Sequence, residues 1–164
     1  MMKRAAFAFL VLAACTPEKP PETPEPQPEQ VEAPAADASA SAKYIPAPAG
    51  EITVKGLVAG ARVTSPLTVE GTAINDWFFE GQFVAELVAD GEVIVQAPAM
   101  QSGDKNWTDP GPVDFKAELA FDVTKETNAE VILSEDMPQP ISDDSDVRGP
   151  ARSIRIPVVL VPPK

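Results

Sequence analysis

The sequence predicts an all-β fold for residues 51–164, with short strands packed as antiparallel sheets. Three observations carry this prediction. Short segments alternate apolar and polar residues with a period of two, Gly, Pro and Asp residues separate these segments, and no window combines a 3.6-residue apolar period with helix caps. Alternation with one polar face per strand favours packed antiparallel sheets over a parallel sheet covered by helices.

About seven segments satisfy the strand pattern. They are Ile52–Lys55, Leu67–Glu70, Phe83–Ala89, Glu92–Val95, Asp114–Phe121, Ala129–Leu133 and Ile154–Leu160. Asp90-Gly91 predicts a two-residue hairpin turn of type I′, and Pro157 predicts an edge strand or a bulge in the last segment. Strands of this number and spacing over about 110 residues are typical of an immunoglobulin-like β-sandwich.

The composition argues against several classes of function. The chain has no histidine and one cysteine, which makes a zinc site, a disulfide framework and a His-dependent catalytic triad poor interpretations. Its formal net charge is −12. Because phosphate binding needs clustered Lys and Arg, the sequence predicts no nucleic-acid partner.

The N-terminus has the pattern of a secretory signal peptide. Two positive charges, Lys3 and Arg4, precede an uncharged apolar run over 5–12, which ends in small residues and is too short for a spanning helix of about 20 residues. Leu12-Ala13-Ala14-Cys15 resembles the lipobox of bacterial lipoproteins. This resemblance implies that residues 1–14 are removed and that Cys15 carries the lipid, so that the protein is extracytoplasmic and membrane-anchored. Thr16 after the cysteine resembles cargo sorted to the outer membrane in diderm bacteria; in other bacteria the anchor would lie in the outer face of the cytoplasmic membrane.

Residues 15–50 predict a disordered tether between the lipid and the domain. The segment contains nine of the nineteen prolines and almost no large apolar residues, so it cannot bury enough surface to offset the entropy of ordering. Repeated Pro-Glu and Pro-Pro steps favour extended polyproline II. A PxxP-type ligand or a wall-associating segment is the alternative interpretation.

Two stretches go beyond a generic sandwich: Ala61-Arg-Val-Thr-Ser-Pro-Leu-Thr-Val-Glu-Gly-Thr-Ala73, followed by Trp77-Phe-Phe-Glu-Gly-Gln-Phe83. Together with Phe115-Lys-Ala-Glu-Leu-Ala-Phe121, they resemble the immunoglobulin-like domain of bacterial spore-germination and sporulation lipoproteins. The resemblance covers roughly residues 51–161 and implies an extracytoplasmic binding or adhesion module without catalytic activity.

The aromatic motif supplies two candidate interaction residues. Extending the period of two backward from Phe83 predicts that Trp77 and Phe79 point into the core and that Phe78 and Glu80 point outward. Phe78 would then be a rim residue or an exposed contact residue. Glu80 would either satisfy backbone N–H groups of a neighbouring loop or serve as a ligand-binding carboxylate. Within the adjoining strand, Gly71 predicts a bulge or a close approach of a neighbour.

Two long loops complete the set of candidates. Trp107, in the loop 102–112, would cap the core or stack on a glycan. In the loop 134–149, Asp144 opens a stretch that superficially resembles a calcium site, but Arg148 and Arg155 stand where oxygen ligands belong. This loop is interpreted as solvated, with a partner contact as the alternative.

The leading hypothesis is therefore a lipid-anchored envelope protein with a non-catalytic binding module, no cofactor and no metal. Its partners would be the membrane, through the lipid on Cys15, and an envelope protein or cell-wall component. A carbohydrate- or peptidoglycan-binding module that uses Trp107 is the first alternative. A hydrolytic enzyme is the second, although no pair of carboxylates is singled out for such chemistry.

Overall fold

A computed structural model describes residues 43–163. The predicted signal peptide, Cys15 and residues 16–42 of the predicted tether lie outside the described residues. No helix in the described part of the chain is long and apolar enough to cross a membrane. The described chain forms nine strands: β1 (Tyr44–Pro46), β2 (Ile52–Lys55), β3 (Ala61–Val63), β4 (Leu67–Ala73), β5 (Gln82–Ala89), β6 (Glu92–Gln101), β7 (Val113–Leu119), β8 (Thr127–Ser134) and β9 (Ala151–Leu160).

The strands form one curled sheet in the order β1-β9-β8-β5-β6-β7-β4-β2, and β3 also pairs with β9. All pairs are antiparallel except those of β1 and β3, which run parallel to β9. The predicted all-β, sandwich-like fold is confirmed, but the sheet is mixed rather than purely antiparallel. All seven predicted strands are present.

The curl brings the inner faces of the two halves of the sheet together. Along β4 and β7 every second residue is buried, as the alternating sequence predicts. Phe83 of β5 and Phe115 of β7 meet edge to face with ring centroids 4.9 Å apart, although β6 lies between their strands in the sheet. The halves are joined where the end of β6, at Met100 and Gln101, pairs with β7.

Strands β1 and β3 were not predicted. Both are three residues long and obtain their strand pairing from β9, so neither has an alternation long enough to detect. The sheet therefore begins at Tyr44, inside the segment predicted as tether and before the predicted domain boundary at Glu51. Strand β1 pairs with residues 151–153 of β9, and β3 pairs with residues 158–160. Pro157 lies between these two stretches, where β9 pairs with neither β1 nor β3.

Two local predictions are confirmed. Asp90 and Gly91 have φ values of 51° and 79°, the left-handed pair that a type I′ turn requires. Gly71 marks a close approach, because a methyl group there would overlap the Thr53 carbonyl oxygen and lie 2.8 Å from two ring carbons of Phe115.

Candidate functional site

Three connections meet at one end of the sandwich: the aromatic segment 74–81 before β5, the loop 102–112 between β6 and β7, and the loop 135–150 between β8 and β9. The antiparallel order of these strands places their connections together. Backbone hydrogen bonds join the connections: Gln101 N–H donates to the Gly81 carbonyl at 2.7 Å, and Asp136 N–H donates to the Trp77 carbonyl at 3.3 Å.

The side chains of the aromatic segment do not all point in the predicted directions. Trp77 is fully buried, as predicted, but Phe78 is also buried, with 4% of its surface exposed and its ring edge to face with Phe83 at 5.1 Å. Phe79 is 41% exposed. The prediction that Phe78 points outward and Phe79 inward is therefore wrong, and Phe79 replaces Phe78 as the candidate contact residue.

Two local structures change which side chains of this segment point into the core. A 3₁₀ helix spans Asn75–Trp77, so the chain is not extended before Phe78. A two-residue turn then closes at Glu80 and Gly81, whose φ values are 52° and 80°. Hydrogen bonds in both directions between Phe79 and Gln82, at 2.8 and 3.1 Å, make these two residues a cross-strand pair. Their side chains consequently lie next to each other on the outer face of the sheet.

Glu80 lies close to a second carboxylate. Burial raises the pKa of Asp136 above its usual value, and the negative charge of Glu80 raises that pKa further. Neither carboxylate is in an ion pair with any residue that the structure describes. Glu80 also occupies the left-handed region that a non-glycine residue seldom adopts. This corner thus has two carboxylates that form no ion pair among the described residues.

Trp107 lies against the same turn. Its backbone N–H donates to the side-chain oxygen of Gln101 at 3.0 Å, and a methyl group at Gly81 would lie 3.3 Å from its Cδ1 atom. The residue is half-buried and packs against the hydrophobic core. The structure therefore brings Trp107 to the turn that contains Glu80, whereas the side chain of Phe78 lies in the core.

An exposed apolar surface lies beside this corner, on the outer face of the β5–β6 hairpin. The register pairs Gln82 with Met100, Val84 with Pro98, and Val88 with Val93, and the register shift between Leu87 and Val88 leaves Ile94 as the extra residue of a bulge. We call the outward-facing set the apolar strip; its members are Phe79, Val84, Val88, Val93, Ile94, Pro98 and Met100. Of the eight large apolar side chains that are exposed in the described part of the chain, four belong to it. The clustering distinguishes it from singly scattered surface residues.

A shallow groove of about 510 Å³ crosses the strip near the acidic corner. It is lined by Gln82, Phe83, Val84, Gln96, Ala97, Pro98 and Asp136. The lining is thus mixed, with polar groups of Gln82, Gln96 and Asp136 beside Val84 and Pro98, a combination suited to a peptide or another partly polar surface.

The other half of the same outer face is covered. Glu86, between Val84 and Val88, is buried because Tyr44 donates to its carboxylate at 2.7 Å and Lys43 lies 3.3 Å from it. Burial raises the pKa of Tyr44 above its usual value. The segment that leads into β1 thus covers Glu86, while the β6 side of the sheet stays open.

The sequence pattern does not reveal the strip, because a period of two places Phe79 in the core and the predicted strand ends at Val95. A signal was present: Val93, Ile94 and Val95 are consecutive apolar residues, and on a strand such a run places apolar groups on both faces. Among the described residues, no group of three or more His, Cys, Asp or Glu could hold a metal ion.

No protein-family model matches the chain, and no curated protein matches it either.

Proposed function

We propose that this protein is a lipid-anchored component of a bacterial cell envelope that presents its β-sandwich as a non-catalytic binding module for another protein. The single observation that carries the binding proposal is the apolar strip, because exposed apolar side chains clustered on one sheet face, here on both sides of the Glu86–Gln96 pair, are typical of protein–protein interaction sites. The lipobox-like sequence at Leu12–Cys15 supports the anchor, and the Pro-rich segment that follows it supports presentation at a distance from the membrane.

The proposed anchor has a direct test. The wild-type chain should sediment with membranes after expression in a bacterium, and Cys15→Ala should move it to the soluble extracytoplasmic fraction, because the thiol that accepts the lipid is gone. Thr16→Ala is a matched control that should leave sedimentation unchanged. A Cys15→Ala protein that still sediments with membranes would contradict the anchor.

The alternative is a glycan-binding module for the cell wall. The amides of Gln82 and Gln96 in the groove and the half-buried ring of Trp107 nearby favour it, because glycans bind to polar groups beside aromatic faces. Incubation of the full-length protein with isolated cell wall separates the two proposals. Retention that Trp107→Ala abolishes and Phe79→Ser leaves intact would favour the glycan, and the protein-ligand proposal expects no retention on purified wall.

A further inference from the structure

The charges around the apolar strip restrict the partner that can cover it. β5 and β6 contain no lysine or arginine, and neither Glu80 nor Asp136, at one end of the strip, is in an ion pair with a described residue. Lys43, the cation beside the middle of the strip, is already paired with the buried carboxylate of Glu86. Glu92 lies at the other end. A partner that covers the strip must therefore desolvate apolar side chains between acidic groups, and cations at matching positions would offset that cost.

The open edge of β6 is poorly suited to the addition of a partner strand. Gln101 N–H donates to the Gly81 carbonyl, and hydrogen-bonded positions alternate along an antiparallel pair, so Ala99 and Ala97 face β5 in the same way. Gln96 and Pro98 consequently direct their backbone groups to the open edge. Pro98 has no N–H, and the bulge at Ile94 interrupts the edge two residues before Gln96. A proline and a bulge on an edge strand both hinder the pairing of that edge with another strand.

A second copy of the chain is also disfavoured. The formal net charge is −12, and two copies that met through this face would bring their acidic ends near each other. The same sign of charge disfavours an anionic lipid surface. A surface that is both apolar and cationic complements the strip.

We infer that the apolar strip docks face-on against an apolar surface of a partner protein, and that Lys or Arg residues at the rim of that surface pair with Asp136 and Glu80. This inference rests on the proposed function, since it names the chemistry and the docking mode of the protein that the module would bind.

The test uses the full-length, lipidated protein in bacterial cells that produce the native chain. A photo-crosslinking amino acid replaces Met100 in one variant and Phe79 in a second. Val58, which is 68% exposed and lies outside the strip, is replaced in the control. We expect a discrete adduct from the two strip positions and none from position 58, and the crosslinked partner peptide should carry apolar residues flanked by Lys or Arg. Adding Glu80→Gln and Asp136→Asn should lower the adduct yield about tenfold, because two charge pairs are lost.

Each other outcome overturns a defined statement. An adduct whose mass is that of two copies of this chain would show self-association in place of a cationic partner. An adduct that the two charge-neutralising substitutions leave unchanged would overturn the cationic partner but keep the proposed binding function. Adduct yields no higher than that of the position 58 control at both strip positions would overturn the inference and the protein-binding proposal together. Circular dichroism melting of each variant confirms that its fold is intact.

Discussion

Gly71 shows how one residue sets the spacing between strands. It lies inside β4, paired with Val54 on one side and Phe115 on the other. There is no space for a side chain, because a methyl group would overlap the Thr53 carbonyl oxygen and the edge of the Phe115 ring. The Phe115 ring is in turn fixed by its edge-to-face contact with Phe83. A larger residue at 71 must therefore displace backbone and core together.

We expect Gly71→Ala to lower the free energy of unfolding by about 2–3 kcal/mol, the upper part of the usual range for overpacking. Denaturant unfolding of the purified domain measures the loss. Thr68→Ala is the matched control, since it changes an exposed side chain on the same strand and should cost less than about 0.5 kcal/mol. Equal unfolding midpoints for Gly71→Ala and wild type would contradict the close approach.

The raised pKa of Asp136 should make the stability of the fold depend on pH. Burial and the charge of Glu80 both raise the pKa of this carboxyl above its usual 3.8, so the native state binds its proton more tightly than the unfolded state. The charged form is the unfavourable one, and its cost is fully present above the folded pKa and disappears as the pH falls below the unfolded pKa. Asp136→Asn should therefore melt slightly above wild type at neutral pH, and the difference should vanish on acidification through this range. A difference in melting temperature that is the same at acidic and neutral pH would contradict the assignment.

At the scale of elements, one charged cluster joins four parts of the chain. Arg152 of β9 donates to Glu135 at 2.6 and 2.8 Å and to Glu51, just before β2, at 2.8 Å. Trp77 of the 3₁₀ helix donates to the same Glu51 at 3.2 Å. Hydrogen bonds to Glu135 raise the pKa of Arg152, so the guanidinium stays charged throughout the accessible pH range. The cluster holds these segments together at the end of the sandwich where the candidate surface lies.

Because Glu135 is buried, Glu135→Gln should cost about 2–3 kcal/mol of stability by weakening the charge-assisted hydrogen bonds from Arg152, which keeps only Glu51 as a charged partner. The exposed pair between Lys55 and Asp114 is the matched control, and Asp114→Asn should cost less than about 1 kcal/mol. Denaturant unfolding compares the two. Equal losses from both substitutions would show that burial does not strengthen the Arg152 cluster.

The elements that sequence reasoning found and missed differ in one physical respect. The seven strands it found have local signals, either apolar alternation, as for Phe115, Ala117 and Leu119 along β7, or the Asp90-Gly91 turn that precedes β6. Strand β1 contains Tyr44-Ile45-Pro46 in a Pro/Ala context and pairs only with β9, so no local signal distinguishes it from tether. The directions of the Phe78 and Phe79 side chains depend on the adjoining 3₁₀ helix and the two-residue turn at Glu80 and Gly81. A period of two extended backward from β5 does not take either structure into account. Of the predicted interaction residues, Glu80 and Trp107 do meet at one corner, because the aromatic motif and its neighbouring loop are both tied to β5 and β6.

At the scale of the whole molecule, the described domain begins earlier than the change in composition suggests. Ala151 N–H donates to the Lys43 carbonyl, and β1 then runs parallel to the start of β9. The predicted tether therefore joins the sandwich at the same end as the Phe79 turn and Trp107. The side chains at the junction are part of the fold, since Lys43 and Tyr44 are the partners of the buried carboxylate of Glu86.

A chain that starts at Lys43 should therefore be more stable than one that starts at Glu51. Removing residues 43–50 takes β1 from the sheet and leaves Glu86, among Val84, Val88 and Ile132 on the outer face, without either partner. We expect a loss of about 2–4 kcal/mol in denaturant unfolding, because the charge-assisted hydrogen bonds from Tyr44 and Lys43 and the strand pairing of β1 are lost together. Glu86→Leu should destabilise the longer chain and change the stability of the shorter one little, because only the longer chain holds Tyr44 and Lys43 against the carboxylate. If both chains unfold at the same denaturant concentration, β1 contributes nothing to the fold and the predicted boundary at Glu51 describes the domain correctly.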